Sequence, residues 1–344
     1  PCPEGYMPMK ARDLAEFGLI ERLRRVVDRE GVGVGLRGEA LLGIGDDAAA
    51  WGAGTPIRLG TTDTLVQNVH FTLETTSWRD LGWKALAVNI SDVAAMGGNP
   101  EVALVSLGLP PETEVEGIEE FYEGMAECAR AFRTAILGGN VSEAPVIVLT
   151  ISLLGGVERG QMLTRSAARP GDVIAVTGYL GASAAGLRIL RDRLLLLPEV
   201  SLPLKEAHLR PQPRLEEGRV LARHGVRAAI DISDGLIADL QHLCEASGVG
   251  ACIRAADIPV HPAAKQAFGW EADELALSGG EDYELLFAAP EPVIVQACRE
   301  SRTPVTVIGE ITADGGKVTL VHRNGEAVEV WRGGWEHFTG GRPA

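Results

Sequence analysis

The sequence predicts a two-domain protein of mixed α and β structure (α+β). Its 344 residues suffice for two domains of ordinary size, each with its own core. Some segments carry apolar residues at helical spacing, whereas others are short continuous apolar runs typical of buried strands. These helices and strands do not alternate strictly enough for a doubly wound sheet. We therefore predict one domain at residues 12–160 and another at 161–340.

The first predicted unit opens with an amphipathic helix, because apolar residues recur there at spacings of three. They are Leu14, Phe17, Ile20, Leu23 and Val26. The elements that follow are the turn GIGDDAAAW, a strand IRLGTTDTL, a helix over about 80–96, a strand EVALVSLGL, an acidic helix over about 115–132, and strands TAILGGN and VIVLTISLLGG. The Pro170-Gly171 turn leads into the second unit.

The second predicted unit also mixes helices and strands. Its predicted elements are the strand, turn and helix of DVIAVTGYLGASAAGL, a helix over about 215–222, the strand RAAIDIS, the helix GLIADLQHLCEASG, the strand YELLFA, and short strands near 305–308, 317–321 and 327–331. Both units therefore contain helices and strands, which supports the mixed fold class.

The composition argues against some partners. The chain has 32 basic and 47 acidic residues, a net charge of −15. Nucleic acids and anionic membrane surfaces reward a positive face, so we expect neither as a partner. The cysteines lack metal-binding or CxxC spacing, and the N-terminal stretch has no continuous apolar run, so we expect a cytoplasmic protein with reduced thiols.

Aspartates in short turns are the most informative chemical feature. They are Asp46, Asp47, Asp63, Asp92, Asp231 and Asp234. Carboxylates gathered in one place stay ionised together only if cations neutralise them, and several oxygen ligands favour Mg²⁺ held with a phosphate. Alternatively, each aspartate is a separate helix cap or turn residue.

A phosphate-binding glycine loop with its lysine is absent from the sequence. Phosphoryl transfer mainly needs charge neutralisation and in-line positioning, which Mg²⁺ ions on aspartates can supply. If the protein uses ATP, we therefore expect metal-assisted transfer with no side chain acting as general acid or base.

Eight segments occur in an order and spacing that resemble bacterial thiamine-monophosphate kinase. They are GIGDDAAAW, TTDTLVQNVHF, WKALAVNISDVAAMGGNP, LTRSAARPGD, VTGYLGASAAGL, HLRPQPR, AIDISDGLIADL and LSGGEDYELLF. That family belongs to the aminoimidazole ribonucleotide synthase-like ATP-binding superfamily. The resemblance runs over about residues 13–338, nearly the whole chain.

The resemblance implies the superfamily's two-domain fold, in which the N-terminal domain forms a homodimer and the ATP site. It implies transfer of the ATP γ-phosphoryl group to thiamine monophosphate with Mg²⁺. The implied metal ligands are Asp47, Thr61, Thr62, Asp63, Asp92, Asp231 and Asp234, with Asp46 beside them in the turn. The implied ATP contacts are Gly139, Asn140, Arg165 and Ser233, and the implied substrate contacts are His70, Glu281 and Trp335.

One position departs from the family pattern. The segment GGNVSEAP has Asn140 where the family has a metal-binding aspartate. An asparagine offers one neutral oxygen and gives up a unit of negative charge. Two alternatives to the kinase therefore stay open: a nucleotide or thiamine-phosphate binder weakened in catalysis, and another ATP-dependent enzyme of the superfamily.

Overall fold

The computed structural model describes residues 15–29, 40–52 and 54–330 of the chain. Within these ranges the helices are α1 (Ala15–Arg29), α2 (Trp78–Ala95), α3 (Val115–Phe132), α4 (Ala182–Arg191), α5 (Pro198–Leu209), α6 (Leu215–His224), α7 (Leu236–Ser247), α8 (Pro262–Phe268), α9 (Glu271–Ser278) and α10 (Glu291–Glu300). A short 3-10 helix spans Arg165–Ala167. No described helix combines the length with the hydrophobicity that crossing a bilayer requires.

The described strands fall into two sheets. They are β1 (Ala40–Leu42), β2 (Ala49–Trp51), β3 (Ile57–Val66), β4 (Asn99–Leu109), β5 (Ala135–Glu143), β6 (Val148–Val157), β7 (Val173–Thr177), β8 (Ala228–Asp231), β9 (Gly250–Arg254), β10 (Leu285–Ala289), β11 (Val305–Thr312), β12 (Val318–Val321) and β13 (Ala327–Glu329). The N-terminal sheet has the order β1-β2-β3-β6-β4-β5, and the C-terminal sheet has the order β13-β12-β9-β11-β7-β10-β8.

Both sheets are mostly antiparallel with one parallel pair. In the N-terminal sheet the parallel pair is β4 and β5, and α3 makes the crossover between them. In the C-terminal sheet it is β9 and β12. Strand β5 pairs only with β4 and is therefore an edge strand of the described sheet.

Helix α2 is the central element of the N-terminal half. Residues on all of its sides are buried, so it lacks the apolar stripe of a surface helix. Helix α3 crosses α2 so closely that the backbones of the two helices touch. A Cβ atom at Gly82 would lie 1.9 Å from the Phe121 carbonyl oxygen, and one at Gly124 would lie 1.8 Å from that of Arg79. Any larger residue at either position would push the two helices apart.

Helix α6 joins the two halves. Alternate residues of the C-terminal sheet pack into different cores: Ile174 packs among α4, α5 and α7, whereas Ala175 packs among residues of α6 and α10. Helix α6 also touches α2, since a Cβ atom at Gly218 would lie 2.1 Å from the Ala94 carbonyl oxygen. The halves are thus packed together through α2, α6 and the C-terminal sheet.

The predicted mixed α and β fold class is confirmed by the two mixed sheets. The predicted long elements of the N-terminal half exist, and the strand predicted near 327–331 ends at Glu329. Several elements are not predicted from the sequence. They are the short strands β1, β2 and β9 and the helices α5, which contains Pro203, α8, α9 and α10. The domain boundaries 12–160 and 161–340 stay a prediction, and residues 12–14 and 331–340 lie outside the described residues.

Candidate active site

The aspartates converge where the two halves meet. Asp47 precedes β2, Asp63 lies on β3, Asp92 lies near the end of α2, and Asp231 is the last residue of β8. Helix α2 packs against both β3 and β8. A hydrogen bond from Ser91 Oγ to Asp231 Oδ2, 2.6 Å long, joins the halves at this point.

Three of these carboxylates form a compact cluster, which we call the aspartate cluster. One oxygen each from Asp47, Asp92 and Asp231 lies within 4.8 Å of the others. Oxygens bound to one Mg²⁺ at about 2.1 Å lie up to about 4 Å apart, so small movements would bring all three onto one ion. A set made only of carboxylate oxygens is the kind of donor set that a hard cation prefers.

Arg165 bonds one side of the aspartate cluster. Its Nε and Nη2 atoms donate to Asp47 Oδ1 at 3.1 and 2.5 Å. Its backbone N–H lies 3.3 Å from both carboxylate oxygens of Asp46, and Asp46 Oδ1 also accepts from the Asp47 N–H. Asp47 Oδ2 is buried and has no hydrogen-bond partner among the described residues. A buried oxygen without a partner is costly, so this atom fits a cation-binding role.

The pKa values indicate that the described residues supply the cluster with too little positive charge. Burial, together with the Asp47 carboxylate, raises the pKa of Asp231 to about 8. Burial and the Asp63 carboxylate raise the pKa of Asp92 well above its usual range. Burial also raises the pKa of Asp47 despite the opposing charge of Arg165, and it raises that of Asp46 to about 7. One arginine therefore does not neutralise the cluster, and an added cation would.

Strand β3 presents alternate residues to opposite sides of the sheet. Thr61 Oγ1 donates to Asp92 Oδ2 at 2.6 Å, and the Asp63 N–H donates to Asn89 Oδ1 on α2. Thr62 faces the other side, where its hydroxyl donates to the Ile151 carbonyl of β6 at 3.1 Å. The structure thus brings Thr61 and Asp63 to the aspartate cluster and turns the Thr62 side chain away.

Asp234 lies in a second cluster with two residues that our sequence analysis misses. Ligand atoms of Asp234, Asp239 and His242 lie within 4.8 Å of one another. Asp239 Oδ2 also accepts the backbone N–H groups of Asp234 and Gly235, so it caps the start of α7. Burial lowers the pKa of His242 to about 4. The spacing of three between Asp239 and His242 was the available signal, because it places both on one helix face.

Gly139 and Asn140 lie on the exposed edge strand β5, apart from the aspartate cluster. The register through β4 and β6 aligns Asn140 with Thr64 of β3. Residues aligned across a sheet face the same side, so Asn140 faces away from α2, whereas Asp63 faces toward it. Within one chain, therefore, Asn140 does not join the aspartates.

A pocket of about 160 Å³ opens between the halves beside His70. His208 of α5 also lines it, and His208 Nδ1 lies 3.3 Å from Glu281 Oε2. His70 and Glu281, both predicted substrate contacts, therefore lie close to one pocket. Complete small-molecule sites usually exceed about 300 Å³, so this pocket would hold part of a ligand. Trp335 lies outside the described residues.

Contacts from both halves hold Glu281. Lys84 Nζ of α2 lies 2.7 Å from Glu281 Oε1, and the Glu281 backbone N–H donates to the Ser233 carbonyl at 2.7 Å. Burial would raise the pKa of Glu281, but the Lys84 ammonium and then His208 hold it well below its usual range. Our sequence analysis assigns no role to Lys84 or His208. A lysine inside the apolar run WKALAVNI was a signal for the first of them.

Comparison with known proteins gives the family. The N-terminal domain of AIR synthase related protein matches residues 45–157, and its C-terminal domain matches residues 169–322. The thiamine-monophosphate kinase of Bacillus subtilis (strain 168) is 37% identical over 307 residues, which cover 86% of this chain and 93% of that protein. The thiamine-monophosphate kinase of Escherichia coli (strain K12) is 41% identical over 308 residues, with coverage of 86% and 92%. The chain belongs to the thiamine-monophosphate kinase family.

A solved structure of this family has the same fold. AaThiL complexed with AMPPCP and TMP matches with a TM-score of 0.84 at 34% sequence identity, covering 96% of this chain and 100% of that one. The family resemblance and the two-domain fold predicted from the eight motifs are therefore confirmed. The site residues of the thiamine-monophosphate kinase family, carried onto this chain by motif, stay predictions.

Proposed function

We propose that the protein transfers the γ-phosphoryl group of ATP directly to thiamine monophosphate, giving thiamine diphosphate and ADP. Membership of the thiamine-monophosphate kinase family supports this reaction, as does the related AaThiL structure with AMPPCP and TMP. The observation in this chain that carries the proposal is the aspartate cluster of Asp47, Asp92 and Asp231. Phosphoryl transfer between two anionic reactants needs concentrated positive charge, and these carboxylates are suited to hold it as metal ions.

Several Mg²⁺ ions would be held by the predicted ligands Asp47, Thr61, Thr62, Asp63, Asp92, Asp231 and Asp234. Asp47 Oδ2, which has no hydrogen-bond partner in the described ranges, and the carboxylate-only cluster support this set. Thr62 is its weakest member, because its hydroxyl bonds to β6 on the other side of the sheet. Bound Mg²⁺ would neutralise the charge that spreads over the phosphate oxygens during transfer.

The remaining roles belong to the chain's own side chains. Arg165 offers a planar guanidinium that suits phosphate oxygens, and Ser233 lies on the loop that follows β8. His70 and Glu281 lie close to the pocket between the halves, and a carboxylate there suits the cationic thiazolium ring of thiamine. No general base is needed, because the acceptor is itself a phosphate oxygen.

The exposed edge of the N-terminal sheet supports a homodimer. Leu137 and Val141 of β5 are 68% and 67% exposed, and Leu104 and Leu154 add apolar surface nearby. An unpaired edge strand with apolar residues favours pairing with another chain. A second copy seated on β5 would bring Gly139 and Asn140 to the subunit interface, where the family resemblance implies that ATP binds. Light scattering should then give a dimer for the parent and a monomer for Val141→Lys.

The reaction itself is tested by incubating the purified protein with Mg²⁺-ATP and thiamine monophosphate. We expect ADP and thiamine diphosphate to form in equal amounts, measured together by chromatography. Release of ADP without thiamine diphosphate would contradict the proposed acceptor. If neither the parent nor Asn140→Asp forms either product, the proposed kinase activity is wrong.

Only one observation, the asparagine at position 140 in place of the family's aspartate, favours a second function, which is binding without catalysis. A protein that binds nucleotide and thiamine phosphate without turnover would give no product in the same assay, whereas Asn140→Asp would restore it. Asn140 lies on the outer face of the sheet, away from the aspartate cluster of the same chain, so an asparagine there leaves that cluster intact, and this favours the active kinase instead. We propose a cytoplasmic location, because the reaction consumes ATP and the described cysteines are free thiols.

A further inference from the structure

The HLRPQPR segment is a motif that the proposed function leaves without a role. Its charged residues reach into different parts of the molecule. His208 contacts Glu281 in the C-terminal half, and the Arg210 guanidinium lies 4.5 Å from the centre of the Trp83 ring on α2. Arg214 Nε donates to Glu284 Oε2 at 2.6 Å. The segment therefore ties α2 of the N-terminal half to the Glu281 loop of the C-terminal half.

Lys84, the residue after Trp83, makes a second tie to the same loop. Its ammonium lies 2.7 Å from Glu281 Oε1, and His208 Nδ1 lies 3.3 Å from Glu281 Oε2. The two carboxylate oxygens are thus held separately. The side chains of Lys84 and His208 are only 3% and 4% exposed, whereas that of Glu281 is 29% exposed. Glu281 can reach a ligand, and the lysine behind it is shielded from one.

The backbone around Glu281 needs such ties. Glu281 and Tyr283 have φ angles of 56° and 50°, in the left-handed region that non-glycine residues rarely adopt. Their N–H groups donate to the carbonyls of Ser233 and Ile232, which lie between Asp231 at the end of β8 and Asp234. Strained backbone of this kind persists only where its surroundings hold it in place.

We propose that Lys84 is a positioning residue that, with His208, holds the Glu281 carboxylate in one orientation beside the substrate pocket. The N-terminal half would thereby set the geometry of a thiamine monophosphate contact in the C-terminal half. This inference rests on the proposed function, because it assigns Glu281 to the phosphate acceptor and not to ATP.

The test compares Lys84→Met, which removes the charge at similar length, with Lys84→Arg, which keeps it. Lys265→Met, at an exposed position on α8, is the matched control. We expect Lys84→Met to raise the KM for thiamine monophosphate at least about tenfold and the KM for ATP less than about twofold. Lys84→Arg should recover part of the loss, and Lys265→Met should behave as the parent. A merely structural defect would raise both KM values.

A double-variant comparison tests whether Lys84 acts through Glu281. If it does, Lys84→Met combined with Glu281→Gln will be no worse than Glu281→Gln alone. Multiplying effects of the two substitutions would overturn the proposal, as would an equal rise in both KM values. If Lys84→Met does not fold, His208→Asn carries the same expectation of a selective rise in the thiamine monophosphate KM.

Binding measurements distinguish failure of the proposed function from failure of the positioning role. If the parent lacks turnover, calorimetric titration with thiamine monophosphate makes the same comparison. Binding by the parent that weakens about tenfold in Lys84→Met supports positioning without catalysis. Unchanged binding in Lys84→Met overturns the positioning role, and a parent that binds no thiamine monophosphate overturns both proposals.

Discussion

Two groups of charged side chains lie between the halves of the molecule, and they are built in opposite ways. In the aspartate cluster, Asp47, Asp92 and Asp231 face one another, and burial raises their pKa values although Arg165 bonds Asp47. In the other group, Lys84 and His208 flank the single carboxylate of Glu281, whose pKa lies well below its usual range.

The difference supports the proposal that the aspartate cluster, and not the Glu281 group, binds a cation. The Glu281 carboxylate already has a positive partner within the chain, whereas the aspartates are ionised together only if further positive charge arrives. A buried charge is tolerated where it has a partner of opposite charge, so the Glu281 group is compatible with a stable fold. Burying the charged aspartates together costs free energy unless a metal ion neutralises them.

The largest expected effect is on activity. Asp92→Asn should lower kcat at least about 1000-fold, because it removes a charge from the proposed metal site. Its free energy of unfolding without metal should stay level or rise, since one of several like charges is lost. Product assays and urea unfolding give the two values. Asp314→Asn, in an exposed turn, is the control, and near-parental turnover in Asp92→Asn would refute the metal assignment.

Removing a charge from the Glu281 group should lower the free energy of unfolding, unlike removing one from the aspartate cluster. Lys84→Met should lower the free energy of unfolding by about 3–5 kcal/mol, because it leaves the Glu281 carboxylate without its cation. Adding Glu281→Gln should restore much of this loss. Urea unfolding near neutral pH measures both. If Lys84→Met costs no more than Lys265→Met, the ion pair does not stabilise the fold.

The aspartate cluster should make the folded protein less stable as the pH rises. The pKa of Asp231 is raised to about 8 and that of Asp46 to about 7, both from 3.8. The folded state therefore holds these protons more tightly, so their contribution to stability is complete below about pH 4 and lost as pH rises through 7 and 8. Mg²⁺ should raise the melting temperature more at about pH 9 than at about pH 6. Equal shifts at both values would contradict this.

The smallest expected effects are on kcat, and they should differ between the neighbouring residues Thr61 and Thr62 of β3. Thr61→Val removes the hydroxyl that bonds Asp92 and should lower kcat about tenfold. Thr62→Val removes a hydroxyl on the other side of the sheet and should change kcat less than about threefold. Steady-state kinetics of the two variants measures both effects. A larger loss in Thr62→Val would mean that its side chain contributes to the metal site.

Some of the fold could be predicted because its signals are local. Apolar runs and glycine ends indicate β3, α2 and β6 directly. Helix α5 is not predicted because Pro203 lies inside it, and proline usually ends a helix. Packing against α4 and α8 nevertheless stabilises this helix. Strand β9 is too short for its pattern to differ from that of a loop, and its place in the sheet comes from pairing with β11 and β12.

The site could be predicted by residue type but not by arrangement. The motifs that contain aspartates identify the members of the cluster, although Asp92 lies in α2 and Asp231 ends β8, and neither lies in a turn. Only the packing of α2 against β8 shows that Asp92 and Asp231 meet. The opposite facing of Asn140 and Asp63 depends on strand register, which a single sequence does not specify. Likewise, Lys84 and Glu281 are distant in sequence, and tertiary structure alone pairs them.

The most direct test of the aspartate cluster is a calorimetric titration of the protein with Mg²⁺ near pH 7, in two buffers of different ionisation enthalpy. Asp231, whose pKa is about 8, is mostly protonated at that pH and must lose its proton to bind a metal. We expect Mg²⁺ binding to release protons in the parent and to release fewer in Asp231→Asn. A binding heat that does not depend on the buffer, or equal proton release in both proteins, would contradict the assignment.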